Sequence, residues 1–164
     1  MSTDQKFSVL SPSSEQSLVL GNKFASLLQL GDVVEFVGDL GGGKTTFIKG
    51  LAQGLGITQT VTSPTYNIQR SYKIPAGGML EHYDLYRLGN DEILIQEMKE
   101  IIQSQDAIIV VEWADHFTSH LTDDRFVVRA DYVDDDNRRY TFEGTGESSR
   151  KRIGWIRKNL ETVQ

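Results

Sequence analysis

A glycine-rich stretch that ends in lysine and threonine is the part of this sequence best suited to chemistry. Residues 38–45 read GDLGGGKT and fit G-x-x-x-x-G-K-[ST], the Walker A pattern of phosphate-binding loops. Glycines let the backbone adopt φ > 0 and approach a ligand closely. In this pattern the lysine reaches the β- and γ-phosphates of a nucleotide, and the next hydroxyl ligates Mg²⁺. We therefore predict that Lys44 contacts phosphate and that Thr45 binds the metal.

The residues predicted to contact the nucleotide come from this loop and from a later segment rich in hydroxyls. Free N–H groups and the dipole at a helix N-terminus both favour a bound anion. The later segment, 61–66, reads VTSPTY, and its proline keeps the preceding residue extended. It either places a hydroxyl near the γ-phosphate or is an ordinary loop that enters a strand, and the spacing favours neither. The complete predicted set is Gly38, Asp39, Leu40, Gly41, Gly42, Gly43, Lys44, Thr45, Thr46, Ser63 and Thr65.

Two acidic residues are candidates for the metal and for the attacking water. Glu112 follows the apolar residues 108–111, as in a Walker-B-type strand that delivers a carboxylate to the metal. Any core strand can end in an acid, but the presence of Walker A favours the metal interpretation. Asp84 lies near the end of another predicted strand, where α/β sheets bind their ligands. We expect Asp84 to orient the attacking water or a water bound to the metal.

The elements around these residues predict an α/β protein. The apolar run 33–37 is typical of a strand covered on both faces, and a helical stripe follows the glycine loop. Further predicted strands cover 67–74, 79–85 and 108–113, and alternation around 126–142 predicts an antiparallel hairpin. We predict helices capped by Ser13 or Ser14 and by Ser148 or Ser149. The fold class is a P-loop NTPase-type three-layer sandwich, with a mainly parallel sheet and an antiparallel C-terminal hairpin.

Size and composition limit the classes of function. With 164 residues, we expect a single domain spanning 1–164. No cysteine is present and no apolar run approaches membrane length, so we expect a cytoplasmic protein without a membrane contact. The net charge of −6 argues against broad, independent nucleic-acid binding. The basic residues 150–158 favour a solvated helix face, with RNA or an acidic partner as the alternative.

Four stretches taken together resemble one family. They are GDLGGGKTTF (38–47), SPTY (63–66), HYDLYRL (82–88) and VEWAD (111–115). Their order and spacing are similar to those of the TsaE family, also called YjeE, the small bacterial ATPase of tRNA threonylcarbamoyladenosine (t⁶A) biosynthesis. The resemblance covers most of the chain. It departs at Ala114, where the family usually has proline, and in 92–102, which lacks a glycine that members usually carry.

The resemblance implies roles for residues and partners. It implies an Mg²⁺-dependent ATPase that works with TsaD and TsaB and meets tRNA only through their complex. It implies that Thr45 and Glu112 hold Mg²⁺, that Asp84 and Trp113 are needed for hydrolysis, and that 63–65 act as a switch near the γ-phosphate. The predicted catalytic set is Lys44, Asp84, Glu112 and Trp113.

The sequence leaves three functions open. The favoured one is an ATPase activated by partners, since no arginine is clearly placed to stabilise the charge that develops on the phosphates. A small-molecule P-loop kinase would need an acceptor pocket and a basic lid, and no arginine-rich lid follows the phosphate helix. A nucleotide-dependent binding module would hydrolyse ATP only incidentally. No [NT]-K-x-D segment follows Glu112, which disfavours GTP.

Overall fold

A seven-stranded mixed sheet forms the centre of the computed structural model, which describes residues 5–39, 41–64, 66–89 and 91–162. The sheet order is β1-β7-β6-β2-β5-β4-β3. The strands are β1 (Lys6–Ser11), β2 (Val33–Val37), β3 (Gln69–Lys73), β4 (Met79–Asp84), β5 (Ala107–Glu112), β6 (Phe126–Tyr132) and β7 (Arg138–Gly144). The helices are α1 (Ser14–Ala25), α2 (Lys44–Gly54), α3 (Glu92–Ser104) and α4 (Glu147–Glu161).

The four central strands are parallel, and antiparallel strands extend both edges. Strand β2 pairs in parallel with β5 on one side and β6 on the other, and β5 continues in parallel to β4. Strands β3, β7 and β1 are added in antiparallel orientation. The predicted α/β class and the antiparallel hairpin, β6–β7, are confirmed, and the parallel pairing is concentrated at the centre.

Helices cover both faces of the sheet. Apolar side chains of α1, α2 and α4 pack with one face around a cluster of aromatic rings, in which Phe47 contacts both Phe36 and Phe142. Helix α3 packs on the other face and buries Met98 there. None of the described helices is long and apolar enough to cross a bilayer. Because helices cover both faces of the sheet, the strands that carry the site residues are buried.

Several element boundaries differ from the sequence prediction, and the starts of α4 and β3 show why. Neither Ser148 nor Ser149 is the N-cap of helix α4: the N-cap is Gly146, and Ser149 contributes as the N3 residue of a capping box by accepting from the Gly146 N–H at 3.0 Å. The Asp124 carboxylate, from the loop before β6, accepts hydrogen bonds from the backbone N–H groups of both serines at 2.8 Å. Strand β3 begins only at Gln69, because Ile68 adopts φ +64° in a turn. At α4 the Asp124 carboxylate comes from a distant part of the chain, and before β3 the turn at Ile68 interrupts the extended backbone, so neither boundary follows from the local sequence alone.

Candidate active site

Most of the predicted site residues line one cavity at the carboxyl ends of the central strands. Its volume is about 530 Å³. Chain segments after β2, β4 and β5 all reach it, which is where parallel sheets bind their ligands. The lining residues are Ser14, Ser17, Asp39, Gly41, Gly43, Lys44, Thr45, Thr46, Ser63, Asp84, Tyr86, Glu112, Trp113 and Arg138.

The phosphate loop connects β2 to the N-terminus of α2. Gly43 is the N-cap of α2 and has φ +98°, a left-handed conformation that a glycine adopts without strain. A glycine has no side chain to accept hydrogen bonds from the first turn of the helix, so the N–H groups of that turn are available to an anion. Lys44, Thr45 and Thr46 carry these groups and line the cavity. This cradle fits a chain of phosphates.

Lys44 lies on the floor of the cavity and is 7% exposed. Its ammonium donates to the carbonyl oxygen of Gly38 and, at 3.3 Å, to that of Asp39. The Nζ atom also lies 4.3 Å from the ring centroid of Trp113. Because an ammonium has three N–H donors and the described residues accept two of them, one remains for a ligand. Burial lowers the pKa of Lys44, and the negative charge of Glu112 opposes that effect.

Asp84 and Glu112 lie side by side on adjacent parallel strands. They are register partners at the ends of β4 and β5, and both are buried. Ser63 donates its hydroxyl to one oxygen of Asp84 at 2.9 Å, and the Tyr86 backbone N–H donates to the other at 3.0 Å. These bonds fix the direction of the Asp84 carboxylate. They also link it to the hydroxyl-rich segment that the sequence left undecided.

His82 holds the second carboxylate. Its Nε2 lies 3.0 Å from Oε2 of Glu112, and the two side chains are only 2% and 3% exposed. His82 belongs to β4; it is not among the described residues that line the cavity, but its partner Glu112 is.

The backbone is unusual where β5 ends. Trp113 follows Glu112 directly and has φ +58°, which is rare for a residue with a bulky side chain. Its ring packs against Lys44 on one side and against Tyr86, with ring centroids 5.1 Å apart. Such strained backbone is concentrated at functional sites.

The donor set suits Mg²⁺ bound together with phosphate. Within the described ranges, no group of three or more His, Cys, Asp or Glu side chains is arranged to hold a metal. Mg²⁺ usually keeps several waters and binds through one or two carboxylates and the phosphates of a substrate. Thr45, Asp84 and Glu112 line one cavity and offer a hydroxyl and two carboxylates. The residues present therefore fit this ion.

Most of the predicted site residues converge on this cavity. Gly38 and Gly42 support the loop from behind, against the main chain of Ala130, and do not line the cavity. Leu40 and Thr65 lie outside the described residues. The sequence prediction missed four lining residues: Ser14, Ser17, Tyr86 and Arg138. None was predicted as a site residue: Ser14 was named only as a candidate helix cap, Arg138 lies in the alternating hairpin pattern, and Tyr86 falls in a stretch that carries the family resemblance.

The fold and the loop together define a P-loop protein: a strand, a glycine loop and a helix N-terminus at the centre of a parallel sheet. The family model described as "Threonylcarbamoyl adenosine biosynthesis protein TsaE" matches residues 11–140. The chain belongs to the TsaE family.

Individual relatives agree with this assignment. The chain is similar to a protein of Streptomyces coelicolor named tRNA threonylcarbamoyladenosine biosynthesis protein TsaE, with 39% identity over 78% of this chain and 90% of that one. A protein of the same name from Bacillus subtilis is 37% identical over 80% of this chain and 82% of that one. The crystal structure of Bacillus subtilis YdiB is similar with a TM-score of 0.78 and 28% identity, covering 99% of this chain and 98% of that chain.

Proposed function

We propose that this protein binds ATP with Mg²⁺ in the cavity and hydrolyses it to ADP and phosphate. We further propose that it does so in tRNA t⁶A biosynthesis, together with proteins of the TsaB and TsaD type. The observation that supports this most strongly is the phosphate loop facing two buried carboxylates at adjacent strand ends. Membership of the TsaE family supplies the pathway.

The phosphate loop binds the nucleotide through its main chain. The N–H groups of Lys44, Thr45 and Thr46 contact the phosphates at the positive end of the α2 dipole. Lys44 adds its remaining N–H donor while its other contacts keep it against the loop. Because the ammonium is buried, its attraction to a phosphate is stronger than it would be in water.

The carboxylates act at the terminal phosphate. When bound, Mg²⁺ neutralises the charge that develops on the phosphates. The Thr45 hydroxyl and Glu112 would hold the ion, directly or through water, with His82 fixing the orientation of Glu112. Asp84 orients the attacking water, because Ser63 and the Tyr86 backbone hold its carboxylate in one direction, and each oxygen has a further acceptor site that none of the described residues occupies.

Hydrolysis by the isolated protein should be slow. Among the described residues that line the cavity, Arg138 is the only arginine. Its Nε donates to the Gly41 carbonyl, and its Nη1 donates to the carbonyl of Asp134 at 2.6 Å. It is therefore tied to the main chain rather than free to reach the γ-phosphate. An arginine supplied by a partner would raise the rate by about 10³–10⁵.

The mouth of the cavity suits a protein partner. Tyr86 lines the cavity and is 65% exposed. Tyr66, three residues after the lining residue Ser63, is 84% exposed. Exposed tyrosines are common anchors in protein interfaces. The net charge of −6 disfavours direct capture of tRNA, so we propose that tRNA is met only through the TsaB–TsaD complex.

Lys44→Ala tests the proposal, with Lys49→Ala as the matched control. Lys49 lies on the same helix but is exposed. ATPase rates are measured with and without a TsaB–TsaD pair, and complex formation is followed by pull-down with and without ATP. We expect Lys44→Ala to abolish hydrolysis while the fold is retained, and Lys49→Ala to behave as wild type. Wild-type turnover in Lys44→Ala, or no binding of the pair by the wild type with or without ATP, would contradict the proposal.

A further inference from the structure

We infer that two residues of strand β7, Tyr140 and Arg138, position the phosphate loop of the nucleotide site. This inference rests on the proposed function, since it concerns how the same loop binds phosphate. Both residues are positioning residues: they act through main-chain carbonyls of the loop. Each contact joins positions 97 residues apart in the chain.

Tyr140 combines a core ring with a hydroxyl at the loop. The residue is fully buried, and its ring packs against Phe47 of α2 with centroids 4.9 Å apart. Its hydroxyl donates to the carbonyl oxygen of Gly43 at 2.9 Å. Burial raises the pKa of Tyr140, although the Ser17 hydroxyl and the positive charge of Arg138 act in the opposite direction. The hydroxyl therefore remains protonated at neutral pH and remains a donor.

This hydrogen bond fixes the direction of a phosphate-binding amide. The carbonyl of Gly43 and the N–H of Lys44 belong to one planar trans peptide and point in opposite directions. A carbonyl drawn toward Tyr140 and toward the Phe47 N–H, which donates to it at 3.1 Å, turns the Lys44 N–H the other way. The close approach also explains the glycine, because a Cβ at position 43 would collide with the Tyr140 hydroxyl.

Arg138 makes a second attachment on the same strand. Its Nε donates to the Gly41 carbonyl at 3.0 Å. The guanidinium is itself held by the hairpin turn, through the carbonyls of Asp134 and Asn137, and its Cζ lies 4.8 Å from the Tyr132 ring centroid. A planar guanidinium with this many fixed bonds holds the loop in a way that a lysine could not.

Tyr140→Phe removes the hydroxyl and keeps the ring. We expect its affinities for ATP and ADP to fall together, by about 3- to 10-fold, because a net hydrogen bond of this kind has that value. Tyr72→Phe is the matched control. Tyr72 belongs to the same core cluster, and its buried hydroxyl has no hydrogen-bond partner among the described residues. We expect nucleotide affinity in this control to match the wild type.

Hydrogen exchange separates positioning from loss of structure. In nucleotide-free Tyr140→Phe, we expect faster amide exchange in peptides that cover 41–46, with exchange in β2 and β5 unchanged. Arg138→Met should show the same pattern, and it tests the inference even if Tyr140→Phe folds poorly. Loss of a positive charge alone would weaken nucleotide binding without altering exchange in the nucleotide-free loop.

The outcomes distinguish this inference from the proposed function. If the wild type binds ATP and ADP, but Tyr140→Phe and Arg138→Met match it in affinity and in loop exchange, the positioning role is wrong and the proposed function stands. If the wild type binds neither nucleotide, the proposed function fails, and the inference fails with it.

Discussion

Replacement of His82 by leucine tests how the carboxylate of Glu112 is held. The His82–Glu112 hydrogen bond is 3.0 Å long and almost completely shielded from solvent. Leucine removes the donor and leaves the carboxylate with one fewer partner in a buried position. Glutamine at position 82 serves as the matched variant, because its amide carries an N–H group near the place of Nε2.

The expected magnitude follows from the burial of the pair. Hydrogen bonds to charged groups contribute about 1.5–3 kcal/mol, and a buried charge left without its partner costs at least as much. In a double-mutant cycle with His82→Leu and Glu112→Met, we therefore expect a coupling free energy of about 1.5–3 kcal/mol. If the orientation of Glu112 matters fully in the transition state, the same loss slows hydrolysis about 10- to 100-fold.

Urea unfolding of the nucleotide-free protein measures the coupling, and single-turnover hydrolysis measures the rate. His82→Gln should recover much of the stability and much of the hydrolysis rate that His82→Leu loses. If the two single substitutions are additive within about 0.5 kcal/mol, or if His82→Leu hydrolyses ATP at the wild-type rate, His82 does not hold the Glu112 carboxylate for catalysis.

Two further predictions concern the scaffold. Burial acts to raise the pKa of Asp124, but hydrogen bonds from Ser149 lower it overall, so the stabilising effect of the ionised carboxylate is complete at neutral pH and is lost as pH falls through the lowered pKa. Asp124→Ala should lower the free energy of unfolding by about 1–2 kcal/mol at pH 7, and the gap to wild type, followed by urea unfolding, should narrow below about pH 4; a gap independent of pH would contradict this. Gly38→Ala would place a Cβ against the carbonyl of Ala130, whereas Gly77, also at positive φ, has open space around it. Gly38→Ala should therefore cost about 1–3 kcal/mol more than Gly77→Ala by the same assay, and equal costs would show that the close approach is unimportant.

The phosphate loop and its carboxylates could be predicted because their signals are local. The Walker A pattern lies within eight consecutive residues, and an apolar run ending in Glu112 identifies a buried strand. Parallel strands bring their carboxyl ends to one edge of a sheet, so Asp84 and Glu112 were expected near the loop. The structure places them as register partners, and their roles in catalysis remain predictions.

The attachments of β7 to the loop could not be predicted in this way. They depend on the sheet order, which places β7 two strands away from β2 and brings residues 97 positions apart into contact. In the sequence, Tyr140 is only one member of an alternating strand pattern. Its hydroxyl gains a role from the position of Gly43, and no spacing rule relates the two.

The start of α4 shows how a distant side chain can override a local signal. Ser148 and Ser149 are good N-cap residues, yet the helix begins before them. The Asp124 carboxylate satisfies their N–H groups from 24 and 25 residues away. A cap supplied by another segment cannot be read from the helix sequence itself.

A crystal structure of the protein with Mg²⁺ and a non-hydrolysable ATP analogue tests the central claim most directly. We expect the β- and γ-phosphates against the main-chain N–H groups at the start of α2 and beside Lys44 Nζ, with the metal between the Thr45 hydroxyl and Glu112. Phosphates bound elsewhere, or a metal on the far side of the loop from Glu112, would contradict the account.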